Sequence, residues 1–227
     1  MRNKWFVFGA LGIAIAIFAV FSLKKNKEPA PVAVQVSQPT EESRVSNPDL
    51  SGVFIRPHSP RMGNSLARVT VVEWLDPECE SCRAMHPAVK RIIADYGDRV
   101  LFVVRYMPYH KGSMFAVSAL EEARELGKFE DALTVLFEKQ PEWGDHQNPR
   151  PDLIPKYLVK LGVPVEKLDQ EKLIAKHGDK IRLDQEDGKK VGVQGTPSFF
   201  VNEKPLKGLG EAQLRAAIER ELMSTKN

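Results

Sequence analysis

Residues 69–87 read V-T-V-V-E-W-L-D-P-E-C-E-S-C-R-A-M-H-P and contain both cysteines of the chain, Cys79 and Cys82. Residues 69–74 are β-branched and apolar apart from Thr70 and Glu73, the composition of a buried strand. From Cys82 onward, Met85, Val89, Ile92, Ile93 and Tyr96 recur at helical spacing, and Gly97-Asp98 ends the run. Val100–Tyr106 (V-L-F-V-V-R-Y) reads as a second buried strand, so residues 69–106 form a βαβ unit with an expected right-handed crossover. Cys79 then falls at or just before a helix N-terminus, with Cys82 one turn in. Unpaired N–H groups and the positive end of the helix dipole favour an anion there. Thiols in such places fall from about 8.5 to between roughly 3.5 and 7.5. The second thiol, on the same helical face, is placed to close a disulfide, which is the layout of a dithiol that attacks, forms a mixed disulfide and is resolved internally.

A C-x-x-C pair also suits half of a zinc site, a copper(I) clip or a short structural disulfide. His86, four residues after Cys82, supplies a third zinc donor, but a fourth is not evident. His58, His110, His146 and His177 are isolated in sequence and read as surface residues, so no metal site is assigned. Two thiolates suffice for copper(I), and metal carriage stays open as an alternative. A structural disulfide closing so small a loop adds little stability.

The 227 residues are 42 % hydrophobic and 28 % charged, an ordinary globular composition, and a net charge of +3 without a basic stripe gives no argument for nucleic acid. Two cysteines exclude a disulfide scaffold, leaving the fold to a hydrophobic core. Residues 5–23 are nineteen positions without a charge, flanked by lysines. At 1.5 Å per residue they span about 28 Å, close to the hydrocarbon thickness of a bilayer. The reading is an uncleaved transmembrane anchor over residues 1–23, with a cleaved signal peptide as the alternative. Residues 24–50 carry four prolines and no aromatic residue, the character of a flexible Pro-rich linker with a reach of roughly 80 Å. Residues 51–227 then make one domain, within the usual size for a single core.

Past the βαβ unit, about residues 112–190 read as a helical insertion with helices at 113–126, 130–139, 152–161 and 165–177. The third turns Leu153, Ile154, Tyr157, Leu158 and Leu161 to one face. Ser198–Val201 reads as a strand, Asn202-Glu203 as a turn, 205–209 as a short edge strand, and 211–223 as a last helix with Leu214, Ala217, Ile218 and Leu222 inward.

Taken together, these features resemble the thioredoxin superfamily. The segment C-E-S-C-R-A-M-H-P (79–87) is similar to its C-x-x-C pattern, with a basic residue after the second cysteine and a proline eight residues after the first. Glu73, six residues before Cys79, stands where the superfamily often keeps a buried carboxylate. Gly195-Thr196-Pro197, before the S-F-F-V strand, resembles the loop whose proline is cis and faces the dithiol. The long insertion resembles the DsbA-like branch, and the resemblance covers about residues 52–223. The fold class it implies is α/β, a thioredoxin fold with a helical insertion subdomain.

The resemblance implies an extracytoplasmic, membrane-tethered thiol–disulfide oxidoreductase without an organic cofactor. Cys79 and Cys82 would exchange disulfides with cysteine-containing exported proteins, and Glu73 would accept the Cys82 proton. Thr196 and Pro197 would pair with the substrate backbone. Glu80, Ser81 and His86 would tune the dithiol, His86 as a partly exposed helix residue whose charge acts together with that of Arg83. A membrane redox partner would recycle the pair. A tethered, non-catalytic interaction module is the alternative from another class. Because Asp76, Glu78 and Glu80 crowd the helix start, the Cys79 thiol is expected to be less acidic than in a strongly oxidising dithiol, and the direction of electron flow stays open.

Overall fold

Strand β2 (Val69–Leu75) is the middle of the sheet and decides what lies on each face. The computed structural model describes residues 52–224. The expected anchor (1–23) and linker (24–50) lie outside the described residues, among which no helix is long and apolar enough to cross a membrane. β2 runs parallel to β3 (Val100–Tyr106) and antiparallel to β4 (Ser198–Val201). Two short strands close the edges, β1 (Arg61–Gly63) against β3 and β5 (Lys204–Pro205) against β4, giving the order β1-β3-β2-β4-β5. β1 was not expected from the sequence; it is only three residues long, and Gly63, at φ +87°, brings its backbone so close to Val100 that a Cβ would strike the Val100 carbonyl. β5 is also shorter than expected, ending at Pro205 instead of reaching residue 209.

Alternation along β2 and β3 sorts the core into two layers. Val69, Val71, Leu75, Val100, Phe102, Val104 and Tyr106 face α1 (Glu80–Tyr96) and the helical insertion. Val72, Trp74, Leu101 and Val103 face the other way and join Phe54, Met107, Val193 and Phe200. In that second layer Phe54, Trp74 and Phe200 meet edge to face, with centroids 5.2–5.9 Å apart.

The insertion consists of α2 (Ser113–Glu125), α3 (Phe129–Glu138), α4 (Gln140–Trp143), α5 (Ile154–Val159) and α6 (Gln170–Lys190). α4 was not read from the sequence, and the last helix begins at 170 and runs to 190 instead of ending at 177. Asp169 caps it by accepting from Lys172 N at 2.9 Å. Past Ile181 its buried face is held by charged side chains. Arg105, fully buried on β3, donates to Asp184 Oδ1 and Asp187 Oδ2 at 2.8 Å each and lies 5.3 Å from the Trp74 ring. Arg56 adds a two-pronged bond to Asp187 at 2.7 and 2.9 Å, and His58 pairs with Asp184 at 2.7 Å. Helix α7 (Glu211–Ser224) closes the first layer with Leu214, Ala217 and Ile218.

Candidate active site

Cys79 is the N-cap of α1 and has extended backbone torsions, so the helix starts at Glu80 with its free N–H groups around the Cys79 sulfur. As a thiol, Cys79 donates to the Thr196 carbonyl at 3.2 Å. Thr196 and Pro197 come from the loop entering β4, and the peptide bond between them is cis. Cys82 lies behind, 1 % exposed, and its sulfur accepts from Asp76 N at 3.5 Å. Both cysteines are free thiols.

The two thiols differ in proton affinity. A hydrogen bond from Cys82 lowers Cys79 most; burial opposes it, and the Thr196 side chain and the Cys82 and Ser81 amides assist, bringing Cys79 down to about 5. Burial, the bond given to Cys79 and the nearby Glu73 push Cys82 far above the ordinary thiol range. At about 5 Cys79 lies inside the range expected of a helix-start thiol and above its most acidic end of roughly 3.5. The acidic neighbours are committed elsewhere. Asp76 accepts from Tyr109 N at 2.8 Å and His110 Nδ1 at 2.7 Å, and Glu78 accepts from Gly112 N at 2.7 Å. Ser113 Oγ bridges the two carboxylates, and Glu80 points out into solvent.

Glu73 sits on the α1 face of the central strand, 5 % exposed, and not on an exposed edge. Burial, with the Cys79 charge behind it, lifts its carboxyl to about 8. It lines a cavity of about 240 Å³ with Met62, Val89, Phe102 and Leu133, and Lys90, Glu130 and Asp131 stand among its other wall residues. His86 lines the same cavity and bonds Thr134 Oγ1 at 3.1 Å. Burial, aided by Lys90, drops its pKa to about 4, so it is neutral near pH 7, which corrects the expectation that its charge tunes the dithiol. Ser81 reaches Cys79 through its backbone amide while its side chain is exposed. A groove of about 560 Å³ lined by Thr196, Pro197, Phe199, Leu206 and Leu209 runs beside the dithiol loop's partner strand.

The insertion contributes residues that the sequence did not single out. Buried Gln140 of α4 donates to the carbonyls of Pro77 at 2.8 Å and Cys79 at 3.0 Å. His110 and His146 stack with centroids 4.2 Å apart. The expectation that the remaining histidines lie on the surface is corrected as well: His177 is fully buried, and His58 and His110 are tied into carboxylates. No local spacing signals these contacts, because Glu78 and His146 are 68 positions apart.

A free dithiol at a helix start, opposite a Thr-Pro loop and overlaid by a helical insertion, defines a thioredoxin-like protein. The comparison with known families agrees: residues 56–220 match the family described as Thioredoxin, and the chain belongs to it. Disulfide bond formation protein D of Bacillus subtilis is 31 % identical over 180 residues, covering 72 % of this chain and 77 % of that protein. The crystal structure of oxidised BdbD from Bacillus subtilis superposes with a TM-score of 0.65 at 30 % identity, over 73 % of this chain and 94 % of that one. The chain is also 31 % identical over 182 residues to Na(+)/H(+) antiporter NhaA 1 of Mycobacterium sp. (strain KMS), covering 74 % of this chain but spanning only 28 % of that relative's length.

Proposed function

We propose that the chain is a thiol–disulfide oxidoreductase that donates disulfides to cysteine-containing exported proteins. The observation that carries this reading is the Cys79 sulfur at the helix start, 3.2 Å from Thr196 O, with Cys82 buried behind it. In the oxidised protein a substrate thiolate attacks Cys79 Sγ, the Cys79–Cys82 bond breaks, and Cys82 leaves. Cys82 binds a proton tightly in its buried site, and Glu73, protonated near pH 7 and beneath it, supplies one. A second substrate thiolate attacks its own sulfur of the mixed disulfide and expels Cys79 as a thiolate. Two electrons have then passed from substrate to protein. A Cys79 held at about 5 is a good leaving group, and this favours giving a disulfide away over taking one. Thr196 and Pro197 align the substrate chain, and the groove beside them takes its side chains.

Glu80 and Ser81, between the cysteines, tune the pair by charge and by backbone donation. Residues 1–23 anchor the chain and residues 24–50 hold the domain away from the bilayer on its extracytoplasmic side, where a membrane redox partner reoxidises the dithiol. No organic cofactor is needed, because the sulfurs carry the electrons. Copper(I) carriage is disfavoured, since a clip needs two presented thiolates and Cys82 is buried and held as a thiol.

Alkylation trapping of the chain at steady state, with a refolding assay on a reduced cysteine-containing substrate, tests this. A mostly oxidised pair and disulfide transfer that disappears in Cys79→Ser are expected, while Cys82→Ser accumulates a mixed disulfide with substrate. A Cys79→Ser protein that still transfers disulfides overturns the reading.

A further inference from the structure

Two part-exposed histidines, one from the loop after β3 and one from within the insertion, meet over the dithiol loop. His110 follows β3 and joins Asp76 through Nδ1 at 2.7 Å. His146 follows α4, and its Nε2 lies 3.3 Å from the Glu78 carbonyl and 3.5 Å from Glu80 Oε2. Their rings stack with centroids 4.2 Å apart and planes 19° from parallel. The groups facing this pair are Asp76 and Glu78 from the loop before α1, Cys79 and Glu80 at its start, and Tyr109 beside His110. Three of these are carboxyl side chains and one is the Cys79 thiol, so acidic groups surround the two imidazoles.

Resting on the oxidoreductase reading above, we propose that the stacked His110–His146 pair is a positioning device which keeps a proton-carrying imidazole beside the dithiol and couples the redox state of Cys79 to that proton. Burial works against a charge on His110, but Asp76, then Glu78 and the Cys79 thiolate, raise its proton affinity overall. The coupling is reciprocal: a charge that the thiolate stabilises on His110 stabilises the thiolate in turn. When glutathione disulfide oxidises the reduced protein, the Cys79 thiolate and the Cys82 thiol form the disulfide and two glutathione thiols leave. The balance requires one proton beyond that of Cys82, and His110 supplies part of it as its anionic neighbour disappears.

The test is the equilibrium with glutathione, read by alkylation in the full chain at pH 6, 7 and 8. Glu73 also loses affinity for its proton on oxidation, equally in each protein, so comparison with wild type isolates His110. His110→Gln is expected to make the dithiol three- to tenfold easier to oxidise at pH 7, where tenfold corresponds to about 30 mV. The fall of the equilibrium constant with rising pH is expected to be steeper in this variant, because all of the extra proton now comes from solvent. His110→Lys keeps a charge that does not titrate in this range. It is expected to stay within about threefold of wild type at pH 7 and to show the same steepening; it also serves if His110→Gln does not fold. A purely structural histidine would give neither the steepening nor the rescue by lysine. A variant that matches wild type in both constant and slope overturns this inference alone. A wild type that does not exchange with glutathione overturns the oxidoreductase reading and this inference together.

Discussion

Glu73 is the residue at which the sequence is most informative and the physics most demanding. A carboxyl among Val69, Val71 and Leu75 is legible in the sequence as an exception, and the structure places it on the dithiol side of the central strand. Its pKa of about 8 lies well above the ordinary 4.5. A proton is therefore bound more tightly in the folded chain than in the unfolded one, and stability is lost as pH rises from 4.5 to 8. At about 1.4 kcal/mol per unit, the cost over that window is of the order of several kcal/mol. Glu73→Gln, a neutral isostere, is expected to match wild type in urea midpoint near pH 5 and to exceed it increasingly towards pH 9. The same variant should slow breakdown and formation of the Cys82 bond by about a hundredfold, the low end of the range for a lost acid–base group, seen by rapid quench of the mixed disulfide. Equal midpoints at pH 9 would mean that the carboxyl ionises without cost. The histidines and Gln140 were not legible at this scale, because their meaning depends on contacts across tens of residues that no spacing encodes.

At the scale of elements, what could be read followed hydrophobic periodicity, and what was missed did not. The βαβ unit, β4 and α7 each bury an apolar stripe and were placed from that pattern alone. Helix α6 was cut short because its inward positions after Ile181 are Asp184, Asp187 and Gly188, so the buried face is ionic and small and carries no hydrophobic signal. Those residues matter for packing even so. A Cβ on Gly188 would collide with Met107 Cε and come within 2.8 Å of Trp74 Nε1. The methionine end can move, but the indole is fixed by its bond to the Asp184 carbonyl at 3.1 Å. Gly188→Ala should gain helix propensity yet destabilise the domain by about 1–3 kcal/mol, the usual cost of overpacking. Denaturant unfolding with unchanged far-UV dichroism of the native state is the measurement. A stabilised variant would show that α6 stands off the sheet further than the contacts imply.

For the domain as a whole, the dithiol's chemistry and its folding stability are one thermodynamic cycle. The Cys79 thiol is held at about 5 in the folded chain against an ordinary 9.0. Its contribution to the reduced protein is fully present above pH 9 and is lost as pH falls through 5. At pH 7 about two units of that difference act, which at 1.4 kcal/mol per unit sets a ceiling near 3 kcal/mol. Screening at the solvent-facing mouth of the site reduces it to about 1–2 kcal/mol. The oxidised form has no thiolate and gains little from so small a disulfide loop. Burial, the larger cause of the raised Glu73 affinity, acts in both forms, and making the comparison in Glu73→Gln removes the smaller part that follows the Cys79 charge. The melting temperature of the reduced protein should therefore rise relative to that of the oxidised protein between pH 4.5 and 7.5, by about 2–8 °C for a domain of this size. The sign links to function directly, because whatever stabilises the reduced fold makes the disulfide easier to give away. A gap that stays constant with pH, or closes, would place the proton on Cys79 in the working range and count against the proposed donation of disulfides.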